Sequence, residues 1–166
     1  DRNQAKTFIY AFLYGAGAAK IGQIVGGGYR EGQQLIDSFL RNTPALAKLR
    51  EKVATHSAGG TLPGLDGRRL RVRSEHAALN TLLQGAGAVV MKQALVLLSE
   101  SLNQYDIPHK LVANVHDEFQ IEVPENFADV VGKAAVRAIR NAGDVLDLRC
   151  PLDAEYNVGN NWAETH

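Results

Sequence analysis

The chain has 166 residues, 45% of them hydrophobic, with 18 Lys and Arg against 18 Asp and Glu and a single cysteine. That is enough for one domain or two small lobes around a real core; Cys150 alone excludes an internal disulfide, no Cys/His pairs stand at zinc-ligand spacing, and neither a basic leader nor an uninterrupted apolar run of about 20 residues directs the chain to export or a bilayer. The zero net charge hides a gradient, since residues 1–80 hold twelve Lys and Arg against six Asp and Glu whereas residues 81–166 hold six against twelve; this suits a chain that grips phosphate with one part and cations with another, and ordinary surface variation meets it equally.

Residues 2–14, RNQAKTFIYAFLY, contain neither Gly nor Pro and predict a helix that Gly15-Ala16-Gly17 ends. Only Asp1 precedes it and the sole methionine is Met91, so the sequence reads as processed or as a piece of something longer. A second helix is predicted over 18–25, stopped by Gly26-Gly27-Gly28. From Arg30 to about His56, Leu35, Ile36, Phe39, Leu40, Leu46 and Leu49 recur at helical spacing, with Asn42-Thr43-Pro44 resetting the helix. Ser57 to Gly60 is a break, placed here as the boundary between lobes, and residues 61–72 read as two short strands around a turn at Asp66-Gly67. Ser74 opens a long helix running through Leu102. Lys110 to Val123 alternates apolar and polar residues with an interruption at His116-Asp117, the pattern of strand, tight turn, strand. A helix over about 125–141 follows, and a strand is expected near 148–156 in the Gly/Asn-rich tail. The expected class is α+β, with a helical segment over 1–60 and a portion with a small antiparallel sheet and long helices over 61–166.

Three groups of residues carry chemistry. Arg2, Lys6, Tyr10 and Tyr14 are each four residues apart and fall on one slowly drifting helix stripe, followed at once by Gly15. At 1.5 Å per residue, Arg2 and Tyr10 stand roughly 12 Å apart, about the length of an extended nucleoside triphosphate. Two permanent cations near a helix N-terminus can neutralise phosphate oxygens while an aromatic two turns on packs against sugar and base. Spacing alone is weak evidence and is more simply met by a helix whose tyrosines are core and whose cations are a solvated edge. Asp117 and Glu118 follow a dry strand at a turn, where a hard divalent cation can find one or two carboxylates and take its remaining ligands from water and phosphate; a polar surface turn has the same composition. His76, Asn80 and Gln84 form a polar stripe on an Ala/Leu-rich helix. Every base pair presents minor-groove acceptors at equivalent positions, so donors on one rigid stripe can test pair geometry without reading sequence. Gly85 and Gly87 inside that helix each weaken it by about 1 kcal/mol relative to Ala, which points to another backbone or a nucleic acid approaching there. The Arg68, Arg69, Arg71, Arg73 cluster reads either as a phosphate-facing strand pair or as an exposed hairpin. No Gly-Lys-Ser/Thr follows the glycine runs, so they are not a P-loop.

The pattern R-x3-K-x3-Y-x3-Y-G over 2–15 resembles motif B of family A DNA polymerases, and AKTFIYAFLYGAG and KIGQIVG look like the phage branch. Val115-His116-Asp117-Glu118 resembles motif C, and HAALNTLLQGAGA resembles the family's minor-groove helix, with His76 where bacterial members have arginine. The resemblance implies template-directed DNA synthesis through two Mg2+ ions, with the 1–60 segment as part of the fingers and 61–166 as part of the palm. It implies that Arg2 and Lys6 bind the incoming triphosphate, Tyr10 contacts its sugar, and Tyr14 stacks near the templating base beside Gly15. Asn80, Gln84 and His76 would face DNA, His116 the primer-terminal phosphate, and Glu118 would be an accessory carboxylate. Asp117 would ligate both ions, the second aspartate lying outside this chain in motif A, which precedes motif B; Asp66, Asp153 and Glu155 stand in no sequence like it. The opening helix and the acidic turn would flank one substrate pocket. Tyr at 10 and Glu at 118, where related RNA polymerases have Met and Ser, favour the DNA enzyme. The implied partners are primer-template DNA, deoxynucleoside triphosphates and the missing N-terminal polymerase portion, with a processivity factor as a further candidate and no membrane; the implied location is the cytoplasm of a bacterial or phage-infected cell. Trp162 and His166 match the family's usual chain end. The alternative reading is a non-catalytic nucleic-acid-binding or assembly module that keeps the surface and lacks the chemistry.

Overall fold

Helix α1 (Arg2–Leu13) starts where the Asp1 carboxylate accepts a hydrogen bond from the Gln4 N–H at 2.8 Å and the Gln4 side chain accepts from the Asp1 amine at 3.2 Å, a reciprocal cap that satisfies otherwise orphaned donors. A computed structural model describes residues 1–166. After α1 come α2 (Ala18–Ile24), α3 (Tyr29–Asn42) and α4 (Pro44–Ser57), then the paired strands β1 (Thr61–Pro63) and β2 (Arg69–Arg71). A 3-10 turn over Glu75–Ala77 leads into α5 (Ala78–Gln104), which is followed by β3 (Lys110–Val115), β4 (Glu118–Glu122), α6 (Ala128–Val145) and the short α7 (Trp162–Thr165). The class is α+β, with two separate two-stranded antiparallel sheets. Pro44 at the first position of α4 explains the interruption after Asn42: its ring presets the helical φ and it needs no hydrogen-bond donor there.

Contacts divide the chain into two compact units, Asp1–Gly85 and Ala86–His166. Leu62 is buried in the same core as Phe8, Phe12, Ile21, Ile36 and Val53, with Leu70 packed against it, so the β1-β2 pair packs with the helices of the first unit. At the centre of that core the Phe39 ring meets Phe8 and Phe12 nearly edge-on, with centroids 5.1 and 5.2 Å away, a favoured aromatic geometry. The charge gradient coincides with this division: no charged residue lies between 81 and 85, so the first unit carries the whole excess of six positive charges and the second the whole excess of six negative ones.

In the second unit, Leu98 and Leu102 are fully buried with Val131 and Ala138 of α6, and Phe119 and Ile121 of β4 pack against them. Alternation along β4 puts these two apolar side chains on one face and Glu118 and Gln120 on the other. The expected strand near 148–156 is absent. No strand pairs with this stretch; it lies along α6 by side-chain contacts instead. Arg140 and Asp153 form an ion pair at 2.9 Å, the Tyr156 hydroxyl donates to Asp129, and the Tyr156 ring occupies the space a Cβ at Gly132 would need.

The helical stretch from Glu75 to Gln104 is long and apolar enough to cross a membrane by length and composition alone, although Gly85, Gly87 and Lys92 interrupt its apolar run as the sequence reading expects. Gly85 and Gly87 do not interrupt the helix. A Cβ at Gly85 would stand 2.8 Å from Leu70 Cδ1, so β2 approaches there, whereas nothing lies within 4 Å of one at Gly87. The close approach inferred from both glycines therefore has an internal explanation at Gly85 only.

Candidate nucleotide, metal and nucleic-acid site

The first unit turns the cation-aromatic stripe of α1 outward. Phe8 and Phe12 are buried, and positions two residues away from them lie about 200° around the helix, so Lys6, Tyr10 and Tyr14 face away from the core; Arg2, about one turn before Lys6, is exposed as well. Tyr10 is 55% and Tyr14 60% exposed, which excludes the reading of these rings as core. The Lys6 Nζ stands 6.0 Å from the centroid of the Tyr10 ring, at the outer limit of a cation-π contact. This face offers two cations and two rings with no acidic side chain among them.

The turn after α1 joins this stripe to the next group. Gly15 takes φ +82°, a left-handed conformation that ends the helix, and a Cβ there would stand 2.2 Å from the His76 carbonyl oxygen. Gly15 and the residues leading into α5 are therefore in backbone contact. Phe12, Leu13, Arg50, Glu75 and Leu79 border the same crevice, and the Arg50 guanidinium lies 5.3 Å from the Phe12 ring centroid. From this junction α5 carries His76 just ahead of its first turn, exposed, then Asn80, half-buried, and Gln84, exposed. In the Arg cluster, Arg68 is tied back to Asp66 at 2.6 Å, leaving Arg69, Arg71 and Arg73 exposed, with Arg69 and Arg71 on one face of β2.

In the second unit, β3 and β4 pair as far as Val115 and Glu118, so His116 and Asp117 form a two-residue hairpin loop. His116 takes φ +53°. Glycine is the usual residue at positive φ in such a tip, and a histidine held there is the kind of local strain that clusters at functional sites. Asp117 is exposed, and no hydrogen bond or ion pair engages its carboxylate.

Glu118 is differently placed. Its Oε1 accepts from the Trp162 indole N–H at 2.6 Å and the Gln120 amide at 2.7 Å, and its Oε2 lies 2.8 Å from His166 Nδ1. The Thr165 hydroxyl donates to Gln120 Oε1 at 3.1 Å, so α7 is laid on the polar face of β4. Led by His166, then Gln120, these donors outweigh partial desolvation and hold the Glu118 carboxyl below its ordinary pKa of 4.5. A lowered folded-state pKa means that this contribution is complete above the ordinary value and disappears as the pH falls through the lowered one. Glu118→Gln should accordingly lower the urea midpoint at pH 7, and the difference from the parent should shrink on acidification below pH 4.5. Equal differences at both pH values would mean that the three donors do not recognise the charge. Nothing in the sequence singled out Gln120, Trp162, Thr165 and His166 as a group, although the two-residue spacing of Glu118 and Gln120 marks a shared strand face.

The donor set of this chain fits one carboxylate ligand for a hard divalent cation. Asp117 presents two uncommitted oxygens, and no group of three His, Cys, Asp or Glu side chains that could hold a metal stands anywhere in the chain. A cation bound at Asp117 would have to complete its shell with water, substrate oxygens or carboxylates from outside these residues.

Comparison with known proteins supplies the remaining context. The family model described as DNA polymerase family A matches residues 1–164. The DNA-directed DNA polymerase of Escherichia phage T7 is 44% identical, over 99% of this chain and 27% of that protein. The DNA polymerase I of Pseudomonas aeruginosa is 29% identical, over 100% of this chain and 19% of its own length. Among solved structures, the POL domain of Pol1 from M. smegmatis, in complex with DNA primer-template and dNTP, superposes with a TM-score of 0.77 over 93% of this chain and 28% of its own, at 22% identity. The chain thus spans about a quarter of the length of the phage relative.

Proposed function

The chain belongs to DNA polymerase family A, and from that membership we propose that it is the fingers and palm portion of a DNA-directed DNA polymerase, with 1–60 serving the fingers and 61–166 the palm. The observation that carries this reading is the outward face of α1: Lys6, Tyr10 and Tyr14 are exposed opposite buried Phe8 and Phe12, with Arg2 exposed about one turn before Lys6. In this reading the long apolar α5 is a helix of a soluble enzyme acting in the cytoplasm of a bacterial or phage-infected cell. Its partners are primer-template DNA and deoxynucleoside triphosphates.

The reaction joins the primer 3′ oxygen to the α-phosphorus of the incoming nucleotide as the bond to the β-phosphate breaks and pyrophosphate leaves. Its main requirements are alignment and neutralisation of spreading negative charge. Arg2 and Lys6 grip the triphosphate, and Lys6 offsets charge developing on the leaving pyrophosphate. Tyr10 packs against the sugar, while Tyr14 and Gly15 face the templating base. Asn80 and Gln84, with His76, donate to the minor-groove acceptors common to all base pairs, which checks pair shape without preferring a sequence. His116 holds the primer-terminal phosphate. Asp117 is the residue of this chain that would hold Mg2+, whose chemistry there is to acidify the attacking hydroxyl and clamp the phosphates.

One carboxylate is insufficient for a pair of ions, so the chain is inactive alone and works when joined to the upstream portion that carries a second aspartate. The test is reconstitution. The chain is mixed with a matching N-terminal polymerase fragment, magnesium, primed template and deoxynucleotides, and primer extension is followed. Extension by the mixture, and by neither part alone, is expected; firm DNA binding with no extension would favour a binding module.

Tyr10 gives a finer test. The resemblance to the family implies that the complete enzyme accepts dideoxynucleotides readily, and a phenolic hydroxyl beside the sugar can offer the hydrogen bond that a missing 3′ hydroxyl no longer provides. Tyr10→Phe should raise discrimination against them by about tenfold or more, the order expected for one hydrogen bond in a closed site. Unchanged ratios of kcat/KM for the two nucleotide types would remove Tyr10 from the sugar site.

A further inference from the structure

Resting on the reading of Asp117 as a metal ligand, we propose that Trp162 and His166 act through Glu118 as positioning residues that fix the direction in which the hairpin tip presents the Asp117 carboxylate. Glu118 immediately follows Asp117, and its side chain is held from both oxygens: Trp162 and Gln120 at Oε1 at 2.6 and 2.7 Å, His166 at Oε2 at 2.8 Å. A second line of attachment runs beside the first, from the Thr165 hydroxyl to Gln120 Oε1 at 3.1 Å. The clamp is itself braced. Asn161 caps α7, Glu164 Oε2 accepts from the Asn160 N–H at 2.8 Å, and the Asn157 amide donates to the Thr165 carbonyl at 3.3 Å.

Two consequences follow for Asp117. The tip consists of two residues, one of them a histidine at φ +53°, and a strained loop of that kind keeps one conformation only when its surroundings over-determine it. On the β4 side, the clamp on Glu118 supplies that determination. The clamp also removes a competitor. Two adjacent free carboxylates would share a cation in several arrangements, whereas a Glu118 already accepting three hydrogen bonds leaves Asp117 as the one uncommitted acceptor at the tip. Glu118 is in this account a positioning residue, and its value lies in being occupied.

The experiment uses the complete polymerase, carrying this chain with its upstream portion. Trp162→Phe keeps most of the ring and removes the donor; His166→Ala removes the second donor at a 75% exposed side chain and leaves the core untouched. Without metal, hydrogen-deuterium exchange of the amides from Val115 to Phe119 should be faster in both variants, with the melting temperature lowered no further than by Glu118→Gln. In single-turnover extension the rate should fall about tenfold and the half-saturating Mg2+ concentration should rise, while KM for the nucleotide stays within about twofold. In a Glu118→Ala background, Trp162→Phe should add nothing further, since it acts through that carboxylate. Parental exchange at the tip, a parental Mg2+ requirement, or losses that simply add to those of Glu118→Ala would each overturn the clamp. Asp117→Ala run alongside separates the two readings: if it retains extension, the metal-ligand reading fails, and if it abolishes extension while the clamp variants behave as the parent, only the clamp fails.

Discussion

Asp117→Ala in the reconstituted polymerase lowers the rate of nucleotide incorporation by about a thousandfold or more, while binding of primed DNA stays within a few-fold of the parent. The magnitude follows from what the carboxylate is asked to do. A bound divalent ion contributes several kcal/mol of charge stabilisation at a phosphoryl centre, and each 1.4 kcal/mol is about tenfold in rate. Asp117 is exposed at the end of a paired strand and engages no side chain of the protein, so its removal leaves no buried group unpaired and no cavity. The variant should therefore fold and melt like the parent, which distinguishes it from a damaged protein. Asp117→Asn, which keeps the shape and loses the charge, should be nearly as inactive. A rate within tenfold of the parent would show that the cation is held by other groups.

Gly15→Ala destabilises the first unit by about 3 kcal/mol or more. Two effects combine. A side chain at φ +82° costs about 1–2 kcal/mol for any L-residue other than glycine, and here the new Cβ would stand 2.2 Å from the His76 carbonyl oxygen, which no rotamer can relieve. The backbone must open at this junction, with α1 drawing away from the start of α5. Gly26→Ala serves as the control, since Gly26 has φ +78° and nothing within 4 Å of its would-be Cβ. It should show the conformational part alone, about 1–2 kcal/mol. The difference between the two urea midpoints, at unchanged slope, measures the clash; equal losses would mean that the close approach is not present in solution. In the complete enzyme Gly15→Ala should also weaken template binding, because Tyr14 caps the helix immediately before it.

Much of this architecture can be read from local sequence. The helix of residues 2–14, the Pro44 reset and the break at His116-Asp117 each rest on one strong determinant: an uninterrupted helical pattern, a proline at a first turn, a change from alternation to polar residues. Where several weak determinants compete, local reading fails. Residues 148–156 contain β-formers and suggest a strand, but a strand needs a partner with open backbone groups, and the structure instead lays this stretch on α6 through Tyr156 and Asp153. Gly85 and Gly87 look alike in sequence, yet only Gly85 meets a neighbour, because Leu70 comes from a strand whose placement no helical pattern contains. The exposed face of α1 was legible as a stripe but not as a surface. Periodicity says that four residues align, and only the tertiary packing, with Phe39 and the rest of the core against Phe8 and Phe12, decides which side is covered. The Glu118 network was invisible for the same reason, since its partners lie 44 and 48 residues further along.

The indole that grips Glu118 is the single tryptophan of these 166 residues, and it is 47% exposed. Its emission is therefore an intrinsic optical reporter hydrogen-bonded to Glu118, the residue next to Asp117. In the isolated chain, free of other fluorophores of its kind, titrating a quencher or a divalent salt reads the state of the hairpin tip directly, with no label attached and no turnover required.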